Sequence, residues 1–195
     1  QVTLFDCAKV DSSHGISYMA MSHFLLSLGF LSNWIGMMEF NLMLENKYDK
    51  FLATVKEQNA GKDWYDIRKK MSAVPALKKA ILTFMAEDEY EETRKLIDER
   101  IKTYDATKLK EDLSLYLEHY PEKKIVFFID EMSEALSQKK INLLDLEGLS
   151  EALSSLGNRV WTVGIAQQAF NDVLNASGLN IHQLNKVEAR FKTRI

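Results

Sequence analysis

Two adjacent carboxylates, Asp130 and Glu131, stand directly after the unbroken apolar run Ile125-Val126-Phe127-Phe128-Ile129. A run this short and continuous predicts a strand buried on both faces, as in a parallel sheet with helices on each side. Acids are foreign to the interior of such a strand, but at its carboxyl end they lie where ligands bind in open α/β sheets. Side by side there, one carboxylate can hold a divalent cation with its water while its neighbour orients an attacking water. The competing reading is a buried strand that ends in an acidic helix cap and does no chemistry.

Positioning those acids requires a sheet. Val2–Phe5, ending at Asp6, and the run 160–165 read as two further strands, because both are rich in β-branched or aromatic residues. Long helical patterns separate the three, which implies parallel pairing with right-handed crossovers. Leu109, Leu113, Tyr116, Leu117 and Tyr120 form one helical stripe, which Pro121 stops just before the acidic strand. Leu146, Leu149, Leu153 and Leu156 form another, with Gly157 expected at C′.

No strand pattern occurs from residue 31 to residue 104. Trp34, Met37, Met38, Phe40, Met43, Leu44, Tyr48, Phe51 and Val55 recur at mostly helical intervals. Asn59-Ala60-Gly61 breaks the pattern, Asp63 is a candidate N-cap, and Pro75 starts or kinks a further helix. The stretch from Glu87 to Tyr104 is strongly charged and predicts a solvated helix, with Glu91–Lys95 and Asp98–Lys102 at i,i+4 spacing. The expected organisation is a core formed by 1–30 and 105–195, with 31–104 as a helical insertion.

The 195 residues are 46% hydrophobic and 27% charged, a folded composition. A net charge of −3 gives no electrostatic case for direct contact with nucleic acid or an anionic membrane. Phe24 to Phe40 is the nearest approach to a membrane span, but Ser27, Ser32, Asn33 and Glu39 interrupt it. Cys7 is alone, so no disulfide framework exists and a reducing cytoplasm is the expected setting. The chain opens at Gln1 directly into a strand pattern and closes on Phe191-Lys192-Thr193-Arg194-Ile195, which reads as an internal piece of a longer polypeptide.

A strand running into Asp-Glu is the pattern of a Walker B segment in P-loop NTPases. Its partner, Gly-x-x-x-x-Gly-Lys-Ser/Thr, is absent. Asn59-Ala60-Gly61-Lys62-Asp63 has a Gly-Lys pair but lacks both the upstream glycine and the hydroxyl residue, and it follows a helical pattern. Under this reading the phosphate loop precedes Gln1, and the chain alone neither binds Mg-ATP tightly nor hydrolyses it. With Leu4-Phe5-Asp6, Lys9-Val10-Asp11-Ser12, Asn59–Trp64, Phe128–Glu131, the segment from Val163 to Gln168 and Ala189–Ile195, the chain resembles the large P-loop ATPase of bacteriophage-exclusion (BREX) systems, the BrxC/PglY family, among the AAA+-like, ORC-like and STAND-like NTPases.

The resemblance implies a P-loop NTPase-like α/β fold, with ATP and Mg2+ as ligands. Asp130 would hold the magnesium through its water, and Glu131 would be the general base or water-orienting residue. Gln167, or Gln168 if the third strand runs longer, would be a sensor of the γ-phosphate; the alternative is an unliganded helix start. Arg190 and Arg194, four apart, would stabilise phosphate charge in cis or across subunits, or would be ordinary surface residues. The implied partners are nucleotide and either subunits of a defence complex or further copies of the chain. Two other functions stay open: a nucleotide-gated interaction platform built on the insertion, and a replication-initiator or STAND-like signalling ATPase. Asp6 reads as a turn cap and Glu134 as a helix-face residue, and the four histidines have no metal-ligand spacing.

Overall fold

The computed structural model describes residues 1–9 and 13–165. In chain order the elements are β1 (Val2–Asp6), a 3₁₀ turn (Cys7–Lys9), α1 (Gly15–Ser27), α2 (Trp34–Leu44), α3 (Tyr48–Gln58), α4 (Trp64–Ile67), α5 (Ala73–Ile81) and α6 (Glu87–Lys102). They continue through α7 (Ala106–His119), β2 (Ile125–Asp130), α8 (Met132–Ser137), α9 (Leu143–Ser154), a second 3₁₀ turn (Gly157–Arg159) and β3 (Val160–Gly164). The chain divides into two compact units, Phe30–Ile101 and the remainder.

The first unit is α/β. Its three strands lie in the order β1-β2-β3 and all pair in parallel, with Phe5 opposite Ile129 and Ile129 opposite Gly164. Both crossovers step the same way across the sheet, and right-handed connections then bring their helices to the same side. On that side Phe5, Ile125, Phe127, Ile129 and Val160 are buried. Phe24 of α1 meets Tyr116 of α7 edge-on at 5.0 Å and Phe127 at 6.4 Å. Leu109, Leu113, Leu146, Leu149 and Leu153, from the two stripes visible in the sequence, are fully buried.

Two capping devices fix the helices before β2 and β3. Asn142 and Asp145 form a reciprocal capping box at the start of α9. Arg159 donates to the carbonyls of Leu117 (2.8 Å) and Tyr120 (2.9 Å), satisfying acceptors left over at the end of α7.

Several expectations shift. Among the described residues β2 is covered unevenly: Ile125, Phe127 and Ile129 are buried, whereas Val126, Phe128 and Asp130 are half-buried. An unbroken apolar run carries no sign of this, because the asymmetry comes from where the crossover helices pack. Gly157 is left-handed (φ +71°) as anticipated, but it lies past the cap residue Ser155 and one position beyond C′. Asp63 holds the cap position of a helix of only four residues without a capping bond, its carboxylate pairing instead with Lys56 at 3.1 Å.

The unit Phe30–Ile101 is helical and has its own polar centre. Glu39, wholly buried on α2, accepts from Leu31 N (3.2 Å), Tyr48 OH (2.9 Å), Trp64 Nε1 (2.8 Å) and Arg68 Nη1 (3.0 Å). Phe51 packs edge-on against Trp64 at 5.2 Å, and Phe30 against Tyr48 at 5.1 Å. The charged helix α6 is solvated apart from Tyr90, Ile97 and Ile101.

Two outcomes follow for this unit. Glu39→Ala strands a buried guanidinium and an indole N–H, so it should cost about 3–5 kcal/mol in urea unfolding. A Cβ at Gly36 would fall 1.7 Å from the Leu31 carbonyl oxygen. Gly36→Ala should therefore lose at least about 3 kcal/mol in the same measurement, since backbone on both sides must move.

Candidate functional site

Parallel strands end together. Asp6 closes β1 and Asp130 closes β2, and the two are Cα partners in the register. The carboxyl end of the sheet thus gathers two aspartates from adjacent strands, and Glu131 follows at once. Cys7, Lys9 and Lys140 are brought to the same end. The sequence placed Asp130 and Glu131 here. Asp6 was legible as well, since both strands finish on Asp, but it read only as a cap. No local signal marks Lys140, which comes from the turn after α8.

Glu131 is the conformational oddity. Its backbone is left-handed at φ +54°, where a Cβ is disfavoured, and it forms the N-cap of α8. This twist lets the chain leave β2 and turn straight into a helix. The Glu131 N–H donates to Asp130 Oδ1 at 2.8 Å, so one oxygen of Asp130 fixes the bend. The residue after β3 closes the other side: Ile165 N–H donates to the Ile129 carbonyl at 2.8 Å.

Asp6 is already engaged. Its Oδ1 accepts from Ala8 N–H at 2.9 Å, capping the 3₁₀ turn, and its Oδ2 pairs with Lys9 at 3.0 Å. The Lys9 hydrogen bond, with the Ala8 N–H and the charges of Lys9 and Lys140, holds its carboxyl below the ordinary 3.8 against the opposing effect of burial. Lys140 Nζ donates to the Ala8 carbonyl. Glu131 moves the other way: partial burial, then the negative charges of Asp130, Glu134 and Asp6, raise its carboxyl above the ordinary 4.5. Burial, then Asp6 and Asp130, push the Cys7 thiol up to about 12. Glu134 is exposed on α8, as a helix-face residue should be.

Gln167, Gln168, Arg190 and Arg194 lie outside the described residues, as does Asp11. Among the described residues no group of three or more His, Cys, Asp or Glu side chains could enclose a metal. Magnesium sites built from one or two carboxylates plus substrate phosphates need no such cage. No helix among the described residues is long and apolar enough to cross a membrane. No protein-family model matches the chain, and neither a curated protein nor a solved structure does.

Glu131 yields two stability tests. A glutamate with a raised pKa binds its proton more tightly folded than unfolded, so its ionisation works against the fold. Glu131→Gln should raise Tm at pH 7, and the increment should fade as pH drops toward 4.5. Glu131→Gly should add about 1 kcal/mol in chemical denaturation by relieving the left-handed backbone, net of glycine's own entropy cost. Cys7, a buried protonated thiol, should resist alkylation at pH 8 in the native chain and react promptly in denaturant.

Proposed function

We propose that the chain is part of an AAA+-like P-loop ATPase in which Asp130 and Glu131 act on the triphosphate of Mg-ATP. The observation that carries this reading is the placement of two consecutive acids at the carboxyl end of the central strand of a parallel sheet, where open α/β sheets take their ligands. The magnesium ion, when bound with the nucleotide, supplies charge neutralisation for the phosphates.

The residues present fit such a group. Asp130 closes the strand with one oxygen fixing the bend, and magnesium bound with a nucleotide needs only one or two carboxylates beside the phosphates. Glu131 leaves the strand at a locked angle, and its raised pKa makes it a stronger base than an ordinary glutamate. Its role is to orient the water that attacks the γ-phosphorus and to receive that water's proton. Asp6, tied to Lys9, contributes field rather than a ligand atom. Gln167 as γ-phosphate sensor, Arg190 and Arg194 as phosphate-charge stabilisers, and a role in a phage-defence complex belong to the same proposal and rest on the sequence resemblance.

A second reading, a nucleotide-gated interaction platform, draws support from the helical unit Phe30–Ile101. A unit with its own aromatic core and buried carboxylate network is more than a surface loop needs. Removing 31–104 from the parent protein separates the two: a platform loses partner binding and keeps turnover.

The proposal is tested with Glu131→Gln in the full-length protein. Nucleotide binding should persist while kcat for ATP falls by about 10²–10⁴-fold, the ordinary worth of a positioned general base. Unchanged turnover would remove Glu131 from the chemistry.

A further inference from the structure

The unit Phe30–Ile101 carries two exposed patches of opposite sign. The first is the turn between α4 and α5. Lys70 N–H donates to the Ile67 carbonyl at 2.9 Å, and the Lys70 carbonyl accepts from Ala73 N–H at 3.0 Å, so backbone hydrogen bonds close this turn. Met71 stands at its tip, 101% exposed, with Lys69 and Lys70 exposed beside it and Val74 44% exposed on the first turn of α5. The second patch lies on α6. Lys78 of α5 takes Glu87 at 2.8 Å and Glu91 at 2.6 Å. One residue along an α-helix turns the side chain by about 100°, so Asp88 and Glu92 form the next row of α6. Leu96, 57% exposed, continues that row. Among the described residues Lys69, Lys70, Asp88 and Glu92 make no ion pair.

A lone exposed Met or Leu is ordinary on a protein surface. Here each is bordered by charges of one sign, and the two signs are complementary. We propose that the basic turn around Met71 docks on the Asp88, Glu92 and Leu96 row of a second copy of the chain. The opposite charges steer and register the approach, while Met71 and Val74 against Leu96 supply the apolar centre. Methionine, flexible and polarisable, adapts readily to such a contact. The same lysine–carboxylate pairing already ties α5 to α6 inside the unit. Nucleic acid or an anionic bilayer fits this turn less well. The acidic row in the same unit repels a polyanion, and two adjacent lysines neutralise few phosphates.

Sedimentation velocity of the whole chain tests this. Association should grow with concentration at low salt and weaken as salt is raised, because exposed pairs are screened. Lys69→Glu with Lys70→Glu, and separately Asp88→Lys with Glu92→Lys, should each raise the dissociation constant by about tenfold or more, since like charges then face each other. Mixing the two double variants should restore association, because the mixture again offers an intact basic turn to an intact acidic row. All four positions are exposed, and far-UV circular dichroism checks that each variant is folded. Should a reversal variant unfold, the neutral pair Lys69→Gln with Lys70→Gln, or Asp88→Asn with Glu92→Asn, takes its place in the same comparison. A wild-type chain that sediments as a monomer at every concentration would overturn the proposal. So would association that either double variant leaves intact, which would assign the contact to another surface. A mixture that stays monomeric, with both variants folded, rejects it equally.

Discussion

Parallel strand pairing is the constraint from which the candidate site arises. Antiparallel neighbours would have sent Asp6 and Asp130 to opposite ends of the sheet. Parallel pairing puts them side by side as register partners and obliges the intervening chain to cross over. The two aspartates are thus brought together by backbone hydrogen bonds that neither side chain makes. The surrounding contacts then manage the consequence, which is several negative charges at one sheet edge. Lys9 neutralises Asp6, Lys140 reaches the adjoining turn, and the Glu131 N–H satisfies Asp130.

Glu131 bears what remains. It has a strained backbone and holds its proton more tightly than usual. A residue kept in so unfavourable a setting is the kind that stability alone would replace with glycine or asparagine. This is the physical reason to rank it above the exposed Glu134, three residues further along the same chain and without a left-handed backbone.

Much of this architecture was legible in the residues because the signals were local. Short β-branched runs bounded by long helical stripes gave the α/β class, the three strands and their parallel pairing, while their order came from the structure. Pro121 and the leucine spacing gave α7 and α9. Glu39 was different: it read merely as a charge interrupting an apolar stretch, while its partners Tyr48, Trp64 and Arg68 come from two other helices that no spacing rule connects. The uneven burial of β2 among the described residues was hidden for a similar reason. Phe127 and Phe128 are chemically identical, yet only the first meets Phe24 of α1, because handed crossovers decide which face is covered. Left-handed glutamates carry no sequence mark at all, so the tight exit from β2 had to be seen in the backbone.

The placement of the helical unit between β1 and β2 also affects how the polypeptide is born. Roughly 120 residues separate the end of β1 from the start of its hydrogen-bonding neighbour, so at about 5–20 residues per second a ribosome delivers β2 some 6–24 s after β1. During that wait β1, with Val2 and Leu4, lacks its neighbour β2 and leaves that edge open to adventitious pairing. The helices of Phe30–Ile101 rest on local contacts and can consolidate meanwhile, which shortens the effective loop that must close before β1 finds its neighbour.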